Sequence, residues 1–241
     1  MILAGIDDTD TLETPGTNQL ARRLAEVLPP GFECSLVLRH QLFFDRRVPY
    51  TSKNGCASLH IRHAPGRRAD ELLPVLRAEM RAWYVPGSDP GLCLAAEDVS
   101  PEITAFARRC QREVVRQAEA RALAERHGVY LEGFGGTEDG VIGALAAIGL
   151  LATGDDGRVV HLAGWRWPDD FAGPQPVAAV RARGVDEIRA GEDGPRVEDG
   201  TVDIGKHLRP SYRGGRVVLF VEPTAGAGVS GAPGWSARKL P

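Results

Sequence analysis

The stretch Val141-Ile-Gly-Ala-Leu-Ala-Ala-Ile-Gly-Leu-Leu-Ala152 constrains the fold more than any other part of the chain. At helical spacing it is apolar on every side, so it offers water no face and is expected at the centre of a domain. It is too short to span a bilayer, which takes roughly 20 apolar residues. Gly143 and Gly149 each cost about 1 kcal/mol against alanine inside a helix. Glycine there points to close approach by another backbone or by a ligand. The helix is preceded by a glycine-dense loop, Gly128 to Gly140. A glycine-rich loop opening onto a buried helix N-terminus is a ready anion site; a plain connector is the alternative.

The second constraint is the beginning of the sequence. An apolar run, Ile2 to Ile6, ends in Asp7, Asp8 and Asp10. Such a run reads as a buried strand whose last residues emerge at the sheet edge. Strand alternation puts Asp8 and Asp10 on one face and Asp7 on the other. Carboxylates this close repel unless a cation or hydrogen-bond donors stand among them. Magnesium is held by one or two carboxylates plus waters and phosphates, which makes Asp8 and Asp10 the metal candidates. A polar turn capping neighbouring backbone is the bland alternative. After the Pro15-Gly16 turn, apolar spacing predicts a helix over 18–28, stopped by Pro29-Pro30-Gly31. Thr17 then falls at the helix N-cap. Strand, acidic turn, glycine and helix N-terminus together form a phosphate site, without the Gly-Lys-Ser/Thr ending of a Walker A loop.

Further along, 34–44 and 56–61 read as antiparallel strands joined by a loop. That loop carries Arg46, Arg47 and Lys53, and Arg47, Tyr50, Thr51, Lys53 and Asn54 form a candidate anion or nucleotide clamp. A helix is expected over 67–83 and a short strand over 92–96, so 34–96 has the pattern of a ferredoxin-like half. Pro101 opens one long helix to about His127. Arg109, Arg112 and Arg116 share a face of it, read as solvated and ion-paired in preference to a phosphate-backbone stripe. Strands are expected over 159–167 (with Trp165 and Trp167 on one face), 177–183 and 216–221. A charged loop containing Lys206, Arg209, Tyr212 and Arg213 separates the last two. The tail from Pro223, ending in Arg238 and Lys239, is expected to be flexible.

A formal net charge of -3 argues against a whole-surface nucleic-acid binder, and 43% hydrophobic residues supply a core. Cys34, Cys56, Cys93 and Cys110 form no Cys-x-x-Cys pair, so no zinc ribbon is encoded and reduced thiols are expected. With neither a signal peptide nor an apolar span in view, the protein is expected in the cytoplasm, away from membranes.

Three motifs in order carry a resemblance. Gly5-Ile-Asp-Asp-Thr-Asp10 with Gly16-Thr17, then Val48-Pro-Tyr-Thr-Ser-Lys-Asn-Gly55, then Gly140-Val-Ile-Gly-Ala-Leu-Ala-Ala-Ile-Gly149 resemble segments of the tRNA(Ile) 2-agmatinylcytidine synthetase family over about residues 1–170. The resemblance implies an α+β protein in which a kinase-type ATP-binding domain is combined with a ferredoxin-like domain. The expected division is 1–55 with 128–222 for ATP binding, 56–127 for the ferredoxin-like part, and 223–241 for the tail. It implies ATP and magnesium as cofactors and an RNA, specifically tRNA, as partner. Asp7, Asp8, Asp10 and Thr17 take catalytic roles, Thr17 matching the family's phosphorylatable threonine. Gly16, Arg47, Lys53, Asn54, Gly135, Gly136 and Thr137 border the nucleotide. Gly16 stands where the family carries cysteine, and Asn18 where it carries threonine. The expected function is an ATP-dependent phosphotransferase or activating ligase. The alternatives are a non-catalytic nucleotide- or RNA-binding module and a metal-dependent phosphate-ester hydrolase.

Overall fold

The structure, a computed structural model, describes residues 1–51, 53–166, 171–227 and 233–238. Trp167 and Lys239 lie outside the described residues. Contacts divide the chain into two units, Met1–Thr153 and Gly154–Pro241.

The first unit alternates strands and helices: β1 (Ile2–Asp7), α1 (Thr17–Glu26), β2 (Phe32–Gln41), β3 (Gly55–His63), α2 (Leu73–Trp83), β4 (Gly91–Ala96), α3 (Pro101–Cys110), α4 (Gln117–Arg126), β5 (Tyr130–Gly133) and α5 (Gly140–Ala152). Its sheet runs β5-β4-β1-β3-β2. β1 pairs antiparallel with both β3 and β4, so those two strands run parallel with β1 between them. Likewise β1 and β2 flank β3. Residues 1–55 and 56–127, expected in different domains, therefore share one sheet. The physical reason is that β1 is apolar from Ile2 to Ile6 and buried over that run, so it takes a central place with a partner on each side. α1 packs against β1, β2 and β3 and touches α2, while α5 packs on β1, β3, β4 and β5.

The helix over 140–152 is buried along its length as expected, with α3 packed against it. Its approach to the sheet is too close for side chains at several points. A Cβ on Gly5 would lie 2.1 Å from the Ala144 carbonyl oxygen, and one on Gly91 would lie 2.3 Å from the Gly140 carbonyl oxygen. On the opposite side of α5, a Cβ on Gly149 would meet the Ile103 carbonyl oxygen of α3 at 2.7 Å.

Two expectations change here. The long helix over 101–127 is two helices, α3 and α4, separated by 111–116. The second starts where the Arg116 N–H donates to the Glu119 carboxylate at 3.4 Å and the Glu119 N–H donates to the Arg116 carbonyl at 3.0 Å. Arg109 of the supposed stripe is ion-paired with Glu113 and Glu119, in line with the solvated-face reading.

The second unit holds β6 (Arg158–Leu162), β7 (Pro174–Pro176), α6 (Val177–Ala182), β8 (Glu187–Ala190), β9 (Thr201–Asp203), β10 (Ser211–Arg213), β11 (Arg216–Ala227) and β12 (Pro233–Ala237). Its strands follow β6-β10-β11-β12-β9-β7, with β8 parallel to β11. The segment over 177–182 is a helix where a strand is expected. Val177 and Val180 are buried at helical spacing, and Pro176 at the N-cap opens the turn. Gly214 and Gly215, both at positive φ, make the tight β10–β11 hairpin. β11 runs on to Ala227 and pairs with β12, so part of the expected flexible tail is strand. Glu187 is buried among Arg189, Arg196 and Arg216. The Arg189 hydrogen bond holds its carboxyl below the usual range. No helix among the described residues is long and apolar enough to cross a membrane.

Candidate functional site

β1 ends at Asp7, and the chain turns sharply through Asp8, which sits at a φ of +52°. A non-glycine residue held there is uncommon, although aspartate tolerates it better than most. This turn breaks the strand alternation, so the expected facing of the three acids gives way to a folded cluster. Asp7 lies against α5 at the position where Gly143 has no side chain. A Cβ on Gly143 would fall 1.8 Å from an Asp7 carboxylate oxygen. Enclosure there pushes the Asp7 carboxyl up to about 8, and the Asp8 charge adds to the shift.

Thr17 is not the N-cap. Gly16 is, without a side-chain cap bond, and Thr17 is the first helical residue. Its buried hydroxyl instead accepts from Thr9 Oγ1 at 3.1 Å and donates to Asp10 Oδ1 at 3.2 Å. Thr51, from the loop between β2 and β3, donates to the other Asp10 oxygen at 3.3 Å. The acidic turn, the start of α1 and that loop are thus tied through one carboxylate. At Gly16 a Cβ would be 3.6 Å from Asp10, so the local space does not demand glycine.

These groups line a cleft of about 430 Å³, within the size range of small-molecule sites. Asp7, Asp8, Asp10, Thr17, Arg47, Lys53, Asn54 and Thr137 border it, while Gly16, Gly135 and Gly136 do not. Gly135 packs against Tyr84, outside the cleft, while Gly136 acts one step back from it. Gly136 is at a φ of +62°, and its Cβ would fall 1.8 Å from an Asp89 carboxylate oxygen. That carboxylate accepts the Thr137 backbone N–H. Arg47 is engaged by Asp45 through contacts of 2.7 and 3.1 Å. Asn54 gives its side-chain amide to the Phe43 carbonyl at 2.8 Å, which closes the β2–β3 loop.

Two functional candidates escape the sequence analysis. Asp89 and Asp139 both face the cleft, arriving from the turn before β4 and the turn before α5. Asp89 looks like an ordinary loop residue beside Pro90-Gly91, and only the fold brings it here: its N–H donates to the Asp8 carbonyl at 3.2 Å. Asp139 carried a faint signal, being an acid directly before a helix N-terminus. Burial, then Asp89, Asp10 and Asp139 in turn, raise the Asp8 carboxyl to about 6. Among the described residues no three His, Cys, Asp or Glu side chains form a ready-made metal-holding group. Asp8 and Asp10 remain as oxygen donors for an ion that takes its other ligands from water or phosphate.

In the first unit a glycine-tight helix lies over an antiparallel sheet, and solved structures share the fold. The crystal structure of the TiaS–tRNA(Ile2)–ATP complex matches 61% of this chain and 35% of that one at a TM-score of 0.54 and 22% identity. The TiaS–tRNA(Ile2)–AMPCPP–agmatine complex matches 75% of this chain and 43% of that one, with a TM-score of 0.53 and 20% identity. These likenesses show a shared fold. In sequence, the tRNA(Ile2) 2-agmatinylcytidine synthetase TiaS of Cenarchaeum symbiosum (strain A) is 26% identical over 185 residues, 75% of this chain and 40% of that protein. The chain is thus a partial match to the tRNA(Ile2) 2-agmatinylcytidine synthetase family, spanning about two fifths of the curated relative it matches. No protein-family model matches it.

Proposed function

We propose that the first unit is an ATP- and magnesium-dependent phosphotransferase or activating ligase whose acceptor is a tRNA base or a small molecule. One observation carries the reading: Asp8, Asp10, Asp89 and Asp139, from three separate stretches, line one cleft above the enclosed Asp7. Like charges at that density call for a cation that a phosphate chain then shares. Asp8 and Asp10 fit magnesium, which needs no all-protein cage. When bound, the ion would neutralise charge on the transferring phosphoryl group.

The chain's own groups supply positioning and proton handling. Thr17 presents a hydroxyl already aimed at Asp10, so a proton leaving that oxygen has a carboxylate to receive it. Lys53 at the cleft offers a mobile positive charge for phosphate oxygens. Gly143 leaves room for Asp7 beneath the site, and Gly136 leaves room for Asp89. The interleaved order β4-β1-β3-β2 with α1 and α2 as crossovers supports a ferredoxin-like component beside the kinase-type element. A cytoplasmic setting belongs to the same reading.

The test is magnesium-dependent ATP turnover by the full chain. Asp8→Asn and Asp10→Asn should each lower it by at least about a hundredfold. Wild-type turnover in both variants would refute the assignment. Because the chain spans 40% of its relative, a nucleotide- or RNA-binding module without turnover is the second reading. RNA affinity that falls steeply with salt, with ATP left intact, selects it.

A further inference from the structure

We propose that the Phe44–Tyr50 ring pair at the lip of the cleft is a stacking platform for an unpaired RNA base. The inference rests on the reading of the cleft as a transferase site that acts on RNA, and it adds where the strand lies. Phe44 is 59% exposed and Tyr50 37% exposed, although both are large rings. Their centroids are 4.6 Å apart with 31° between the planes, so they already form one tilted surface. Tyr50 lines the cleft and Phe44 does not. The surface therefore straddles the rim. A ligand wholly inside the cleft leaves Phe44 bare, whereas a strand passing the rim covers both rings.

Charge and rigidity favour the same occupant. Arg46 and Lys53, on the same loop as the rings, are exposed. Among the described residues neither has a carboxylate partner, whereas Arg47 is held by Asp45. Two unpaired cations flanking stacked rings suit a single strand, whose phosphates and base faces alternate. A duplex keeps its base faces inside the stack and cannot use the platform. The loop is also pinned before any ligand arrives. Val48 N–H donates to the Asp45 carbonyl at 3.0 Å, Asn54 closes its base, and Thr51 ties it to Asp10. The last bond connects the platform directly to the acidic turn.

The test uses the full chain, a labelled mixed-sequence single-stranded oligoribonucleotide, and a duplex of the same sequence, read by fluorescence polarisation. Phe44→Ala should weaken single-strand binding roughly tenfold, and Phe44→Trp should restore it. The salt slope should be unchanged in Phe44→Ala and smaller by about 0.7 in Arg46→Ala. The melting rise caused by ATP with magnesium should be the same in Phe44→Ala as in the wild type. Tyr50→Leu provides a second variant should the first unfold. Single-strand affinity untouched in both aromatic variants overturns the proposal, as does a duplex bound as tightly as the single strand. Loss of the ATP-induced rise with RNA affinity intact would hand the rings to the nucleotide and overturn it as well. Failure of the transferase reading appears separately, as wild-type ATP turnover in Asp8→Asn and Asp10→Asn.

Discussion

Replacing Gly5 with alanine would drive a methyl group into the backbone of α5. The new Cβ would lie 2.1 Å from the Ala144 carbonyl oxygen, 3.1 Å from its carbonyl carbon and 3.1 Å from the Ala147 Cβ. The first neighbour is main chain in a buried helix and has no rotamer to change. Relief therefore requires β1 and α5 to part by more than about 1 Å, against an interior packed as densely as a crystal. Overpacking of this kind costs about 1–3 kcal/mol, and a backbone neighbour puts Gly5→Ala at the upper end. Alanine in place of glycine in a strand returns about 0.5–1 kcal/mol. The expected net loss is about 2 kcal/mol, or roughly 4–8 °C in Tm for a unit of this size. The same displacement would open the contact between Asp7 and Gly143, two residues further along β1. Any melting rise produced by ATP with magnesium should therefore shrink together with the stability. Gly16→Ala is the control, because its Cβ would meet nothing nearer than 3.6 Å, and its melting should stay within a few degrees of wild type. Thermal and urea unfolding measure both variants. A Gly5→Ala protein that melts with the wild type or above it would refute the close-packing argument.

The raised Asp7 carboxyl makes a prediction about pH. Its folded pKa is about 8 against an ordinary 3.8, so between those values the folded state holds a proton that the unfolded state has lost. That contribution is complete below about pH 4 and fades as pH rises towards 8, by at most about 1.4 kcal/mol per pH unit. Asp7→Asn should remove this part of the slope; the difference in urea midpoint between wild type and variant, followed from pH 5 to 8, measures it. A constant difference would show that Asp7 is ionised throughout. Ser100 caps α3 by accepting the Glu102 N–H at 3.2 Å, so Ser100→Ala should cost about 1 kcal/mol in unfolding free energy. No change in that free energy would mean water replaces the cap at no cost.

Sequence alone determined the elements whose cause is local. The Ile2–Ile6 run read as a buried strand and the apolar 141–152 stretch as a central helix, because neither has a face that water solvates and their lengths suit those elements. The glycines inside that helix announced a close neighbour, and the acid cluster announced a site that needs neutralising. Tertiary structure decided what depends on distance along the chain. It placed β1 between β3 and β4, joining stretches that the sequence reading kept apart. It broke the 101–127 helix at 111–116, with α3 and α4 each packed on α5. It made 177–182 a helix, a choice between two periods that six residues cannot settle. It also carried Asp89 and Asp139 to the acidic turn and set Gly136 behind Asp89. Those pairings span tens of residues, and their cause is the packing of α5 against the sheet, which local sequence does not record.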